Sequence, residues 1–235
     1  MILSLLTALS LATATLAPPC PATNDSAAFL CLAIAASDAE RFAEAADHFD
    51  KAAAASPAGN PRTQRLLAAA GNAWIAAGQP GKAALALDRA LAGTGLPADQ
   101  RGLALLDRAR AAEAQGDLKA ARRFANLAGA SASDDPFYWY FSSALAIREG
   151  DVPTAKVAIN RALALAKDDA SILFEAGHVA QVEGDMVRAR QYWQQAAAAD
   201  PGGATGRAAQ QALGLASAPL TVTTKAAATP TKDKK

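Results

Sequence analysis

Three Gly-Asp pairs, Gly116-Asp117, Gly150-Asp151 and Gly184-Asp185, follow one another at intervals of 34 residues. A fixed spacing of this size constrains a chain strongly, because each period is one supersecondary unit that buries its apolar face by stacking on the next. The same positions recur around each pair. An alanine stands five residues after the glycine (Ala121, Ala155, Ala189) and another twelve after it (Ala128, Ala162, Ala196). A small residue stands seven before it (Ala109, Ser143, Gly177) and a large apolar one eleven before it (Leu105, Trp139, Leu173). With four-residue insertions allowed, the pattern extends upstream. Gly78 brings Leu67, Gly71, Ala83 and Ala90; Glu40, where the glycine is missing, brings Phe29, Ala33, Ala45 and Ala52. Five repeats result: 26–59, 64–97, 102–135, 136–169 and 170–203.

The residue types make each repeat a helix–turn–helix. Gly150 is expected to supply the positive φ that ends one helix. Asp151 caps the next, with Pro153 just inside its start, and Asp117 and Asp185 stand ready to cap in the same way. Alanine, the best helix former, occurs 66 times in 235 residues, and no run alternates apolar and polar residues at period two. The chain reads as all-α, with alanines at the crossings letting backbones approach closely.

The last repeat, ASILFEAGHVAQVEGDMVRARQYWQQAAAADPGG, resembles the tetratricopeptide repeat in its Leu173, Gly177, Gly184-Asp185, Ala189, Trp193, Ala196 and Asp200-Pro201. The resemblance covers residues 26–203 and implies a right-handed α-solenoid. Arg108 and Ser142, at a position usually Leu, and Ala125, in place of an aromatic, depart from the pattern. Other α-solenoids such as HEAT arrays have longer repeats. Residues 204–216 then read as a solvating cap helix, and 217–235 as a disordered tail poor in bulky residues.

The N-terminal run Ile2 to Ala17 is too short and too rich in Ser and Thr for a membrane span, and reads as the apolar part of a secretory signal within residues 1–22. It has no Lys or Arg ahead of it. Small residues offer cleavage after Ala14 or after Ala22. Export, to the periplasm of a bacterium, is the expectation; an uncleaved anchor is the competitor. Ala17-Pro18-Pro19 ahead of Cys20 does not fit a lipidation site. Cleavage after Ala14 keeps Cys20, which can then bridge to Cys31; cleavage after Ala22 leaves Cys31 alone as a small buried hydrophobe.

The formal net charge is +1, and the one basic cluster lies in the tail, Lys225 to Lys235, so nucleic acid binding by bulk charge is not expected. The two cysteines, eleven residues apart, do not make a zinc site, so no metal and no cofactor are expected. Nothing in the sequence assembles a nucleophile, a base and an oxyanion site, so the chain reads as a non-enzyme. His48, beside Asp47 and Asp50, reads as a solvated residue. His178 reads as a polar contact, with nothing beside it to orient it.

The resemblance implies a concave groove lined by positions 2, 5, 9 and 12 of each first helix, which share one helical face. Those positions give Arg65, Asn72 and Ile75 in the second repeat, and Leu103, Leu106, Arg110 and Glu113 in the third. They give Phe137, Tyr140 and Ile147 in the fourth, and Phe174, His178 and Gln181 in the fifth; Leu30 and Ile34 add to the wall from the first. The aromatic row Phe137 to Phe141 is therefore divided. Trp139 and Tyr138 are expected in the core, Phe137 and Tyr140 on the wall, and Phe141 is open. No lysine accompanies Asn72 and Arg110, so the carboxylate clamp of some family members is not expected. The alternative to a groove is that the ends fold over and bury these residues. The functional expectation is a protein-interaction scaffold of the envelope holding an extended peptide or helix, or else a structural subunit of a membrane complex held by an uncleaved N-terminus. Replacing Tyr140 and Arg110 by alanine is expected to weaken partner binding and leave melting intact.

Overall fold

Six described residues have positive φ, and five of them end the first helix of a pair: Glu40, Gly78, Gly116, Gly150 and Gly184, at φ 56 to 85°. The following N–H turns back to a carbonyl five residues earlier in every case: Arg41 to Ala36, Gln79 to Trp74, Asp117 to Ala112, Asp151 to Ala146 and Asp185 to Ala180, at 2.8–3.0 Å. This is the bond that closes a helix C-terminus in the left-handed cap. The computed structural model describes residues 20–217. Among them are eleven helices: α1 (Ser26–Asp38), α2 (Phe42–Ala54), α3 (Arg62–Ala76), α4 (Pro80–Ala92), α5 (Ala98–Ala114), α6 (Leu118–Ala132), α7 (Pro136–Glu149), α8 (Val152–Leu165), α9 (Ala170–Val182), α10 (Met186–Ala199) and α11 (Ala204–Ser217). The expected signal segment up to Pro19 and the tail beyond Ser217 lie outside the described residues.

The described residues divide into two compact bodies, one ending at Pro97 and one beginning at Ala98. In the first, α1 to α4 pack each on the next. In the second, α5 to α11 do the same, α7 also touches α9, and α11 covers both α9 and α10. The two four-residue insertions fall before the second and third repeats, and α3 and α5 have 15 and 17 residues against 13 in α1, so an early helix start takes up half of the first insertion and all of the second.

Aspartates start the helices at six places. Asp117, Asp151 and Asp185 accept from the N–H three residues on, at 2.9–3.1 Å, and open α6, α8 and α10. Asp25, Asp135 and Asp169 do the same work for α1, α7 and α9. Arg41 and Gln79, at the equivalent turns of the first body, make no side-chain cap. Glu40 there holds a left-handed conformation that costs an L side chain about 1–2 kcal/mol. Glu40→Gly is therefore expected to raise stability by about 0.5–1 kcal/mol after glycine's own entropy cost. A higher urea midpoint at unchanged slope is the expected reading.

The recurrent alanines occupy the helix crossings. Ala45, Ala52, Ala83, Ala90, Ala121, Ala128, Ala155, Ala162, Ala189 and Ala196 are all 0% exposed. A longer side chain at any of them has no space to enter without pushing the crossing helices away from each other. Residues sixteen apart then pair by size in two of the repeats. Gly71 meets Leu87 and Gly177 meets Trp193, so closely that a Cβ at either glycine would strike the larger side chain. Ala109 and Ala125 share one cluster in α5 and α6, and Arg108, where Leu is usual, lays its guanidinium 4.6 Å from the centre of the Phe124 ring. In the second body, ion pairs 27 residues apart link successive repeats: Arg122 to Glu149 and Lys156 to Glu183, both at 2.6 Å.

One side chain differs from the sequence expectation. His48 is not a solvated residue: its side chain is 16% exposed, it stacks on Phe29 at 6.3 Å, and its Nδ1 is buried without a partner. Asp50 accepts from the Trp74 indole at 2.9 Å and so belongs to the packing between α2 and α3. The reason is geometric: His48 and Asp50 lie on the inner half of α2, where α1 and α3 cover them.

Candidate peptide-binding face

The aromatic row opens α7, with Asp135 accepting from the Phe137 N–H at 2.9 Å and Pro136 fixing the first turn. A helix distributes five consecutive side chains around its axis, so the row cannot form one platform. Phe141 is buried at 7% in the cluster with Leu106 and Leu145. Tyr138 packs on the same cluster, its hydroxyl 2.6 Å from where a Cβ at Gly129 would stand. Trp139 packs the other way, beside Ile159 and Ile172, and its indole donates to the Ser133 carbonyl at 2.7 Å. Phe137 remains 37% exposed.

The second body gathers most of the expected wall residues on α5, α7 and α9. Arg110 carries its guanidinium 5.4 Å from the centre of the Phe137 ring and donates to Asp107 at 2.8 Å. Phe137 and Tyr140 have ring centres 5.6 Å apart, and Arg148 pairs with Glu113. On α9, Phe174 and His178 are in ring contact at 4.5 Å. Leu103 is 48% exposed, Gln181 is exposed, and Ile147 is half-buried. A cavity of about 230 Å³ opens between α7 and α9, lined by Pro136, Phe137, Tyr140, Asp169, Ser171 and Ile172.

Three expectations change. Leu106 is not on this face: it is 1% exposed, because Phe141 and Tyr140 of the next helix pair cover it. Tyr140 is half-buried and packs against the clusters on both sides of α7, so its truncation removes core packing as well as surface. The Tyr140→Ala, Arg110→Ala pair is therefore not a clean probe of binding. His178 is not alone, since its Nδ1 stands 3.6 Å from Glu175 Oε2 and Trp193 meets its ring edge-on at 6.1 Å. Burial, then the charges of Glu175, Asp169 and Glu113, holds the Tyr140 phenol above its usual range, with Arg110 opposing them. Glu175 was not legible as a site residue, although its spacing of three from His178 on one helix face is a signal that finds it.

In the first body, Arg65 and Asn72 are exposed on α3 and Ile75 is half-buried, while α1 contributes a half-buried Leu30 and an Ile34 that is 50% exposed. Cys20 and Cys31 form a disulfide, with their Cα atoms 5.6 Å apart, tying the segment before Asp25 to α1. Among the described residues no group of three or more His, Cys, Asp or Glu is placed to hold a metal ion, and no helix is long and apolar enough to cross a membrane.

No protein-family model matches the sequence, and no curated protein is significantly similar to it. Solved structures are similar in fold. A chain of the APC/C hetero-tetramer Cut9–Hcn1 matches 82% of this chain with a TM-score of 0.69 at 18% identity; the match spans 36% of that chain's length. PilW, a type IV pilus biogenesis factor, matches 80% of this chain and 83% of its own, with a TM-score of 0.65 at 17% identity. YrrB, a TPR protein with an unusual peptide-binding site, matches 80% of this chain and 93% of its own, with a TM-score of 0.55 at 15% identity. With its left-handed turns, buried alanine crossings and stacked helix pairs, the chain has the tetratricopeptide-repeat fold.

Proposed function

We propose that this chain is a non-catalytic interaction scaffold of the cell envelope, holding an extended peptide or a helix of a protein partner against the face of α5, α7 and α9. The observation that carries this reading is the composition of that face. Exposed Leu103 and Phe137, the latter under the Arg110 guanidinium, share α5, α7 and α9 with Glu113, His178 and Gln181, apolar side chains with a few polar groups on the same three helices. An exposed patch of that kind on one side of a helical body is a binding surface more often than an accident. Shared fold with YrrB and PilW supports peptide binding and an envelope role by likeness alone. Crosslinked capture in the native cell, comparing the wild type with a variant truncated at Leu103 and Phe137, tests it.

Export rests on the apolar run Ile2 to Ala17 and on the Cys20–Cys31 bridge, which belongs in an oxidising compartment. Of the two cleavage positions, only the one after Ala14 retains both cysteines. The chain isolated from its own cell is therefore expected to begin at Thr15 and to resist thiol alkylation under denaturing, non-reducing conditions, both read by intact mass. A chain beginning at Thr23 with one alkylated cysteine contradicts the bridge. A chain that keeps residues 1–22 is instead a subunit held in a membrane complex by its N-terminus.

A further inference from the structure

The first helices carry an acid at one equivalent position twice. Asp107 in α5 and Glu175 in α9 are two repeat lengths apart, and each precedes a basic side chain by three residues, Arg110 and His178. In α5 the pair is closed, with Arg110 donating to Asp107 at 2.8 Å. In α9 it is open. His178 Nδ1 stands 3.6 Å from Glu175 Oε2, beyond hydrogen-bond reach, and Glu175 Oε1 has no partner. Yet Glu175 is only 8% exposed. A carboxylate oxygen withdrawn from water without a donor is unfavourable, and a nearby cation offsets that cost.

Its surroundings suit a cation. Ser171 and Ile172, one turn before Glu175 on the same side of α9, line the cavity of about 230 Å³. Across that cavity stand Phe137 and Tyr140, and at its edge the Asp169 carboxylate. Glu175, Asp169 and Glu113 all act on the Tyr140 hydroxyl, which places negative charge around one phenol. Aromatic walls with acids beyond them take a long cationic side chain well, the stem lying on the rings and the head on the carboxylates.

We propose that this cavity binds a lysine or arginine side chain of the partner segment, its stem against Phe137, Tyr140 and Ile172 and its charged head toward Asp169, which lines the cavity, with the negative charge of Glu175 one turn beyond the wall. The proposal rests on the reading of the α5–α7–α9 face as the binding surface, and it names the partner's chemistry there: an extended segment presenting one basic residue.

The test uses the full chain and blocked pentapeptides of alanine with Arg, Lys, citrulline or norleucine at the centre, followed by NMR shifts of α7 and α9. The Arg and Lys peptides are expected to bind at least about tenfold more tightly than their neutral counterparts. Glu175→Gln, which keeps the shape, and Asp169→Asn, which keeps the helix cap, are expected to erase that preference. Equal binding of arginine and citrulline, or a preference that survives both variants, overturns the proposal. If peptides bind only after Lys225, Lys232, Lys234 and Lys235 are changed to alanine, the occupant is this chain's own basic segment and the assignment to a partner falls. A panel without charge preference, beside a native partner still lost on truncating Leu103 and Phe137, overturns this inference alone.

Discussion

Gly177→Ala is expected to destabilise the chain by about 1–3 kcal/mol, although alanine is the better helix former by roughly 1 kcal/mol. The reason is the indole facing it. Trp193 is 1% exposed, packs with Leu173, Ala180 and Ala209, and donates to the Phe174 carbonyl at 3.3 Å, so it has nowhere to move when a Cβ appears at residue 177. Trp193→Ala makes the opposite defect, a cavity between α9 and α10, at a cost of about 3–5 kcal/mol. The double variant recreates the Ala109 and Ala125 pair that fills the same positions in α5 and α6. It is therefore expected to lose less than the sum of the single losses, with a coupling of about 0.5–3 kcal/mol. Denaturant unfolding of the four proteins reads this. Strict additivity contradicts the account of size-matched pairs.

The second large effect is on binding. Leu103→Ala with Phe137→Ala removes two side chains that are 48% and 37% exposed. Their truncation is expected to cost about 1 kcal/mol for Leu103 and about 1–2 kcal/mol for Phe137, because about half of the first and more than half of the second is already withdrawn from water in the free chain. Against a partner seated on them, they are the aromatic and aliphatic anchors of the face. Loss of such anchors weakens binding by about 2 kcal/mol or more, roughly 30-fold. The variant should keep its helicity and unfold cooperatively, with a melting temperature lowered by at most about 10 °C. Tyr140→Ala is expected to cost more, since Tyr140 fills space against the clusters on both sides of α7.

What was legible in the sequence was whatever depends on one repeat alone. The turn glycines and their aspartates signal locally, and the ten alanines stand where any larger residue would force neighbouring helices apart, so spacing and residue type sufficed. Leu106 and Phe141 were not legible in the same way. Their burial is decided by what the adjacent repeat puts over them, and the repeats differ most in those covering side chains. His48 misled because its sequence neighbours are charged while its spatial neighbours are Phe29 and the packed face of α2. The Cys20–Cys31 bridge was legible only as one of two outcomes, because it depends on where the chain is processed and on how the segment before Asp25 turns toward α1. Glu175 escaped because a buried acid has no signature of its own; what marks it is the contrast with Asp107, whose arginine partner is in place.

Crosslinking capture in the native cell, wild type against the Leu103→Ala, Phe137→Ala variant with both chains shown to be folded, decides whether α5, α7 and α9 hold the partner. A protein held by the wild type and lost from the folded variant is the predicted result, and it identifies the partner. The same proteins held equally by both would contradict the account and move the binding surface away from α5, α7 and α9.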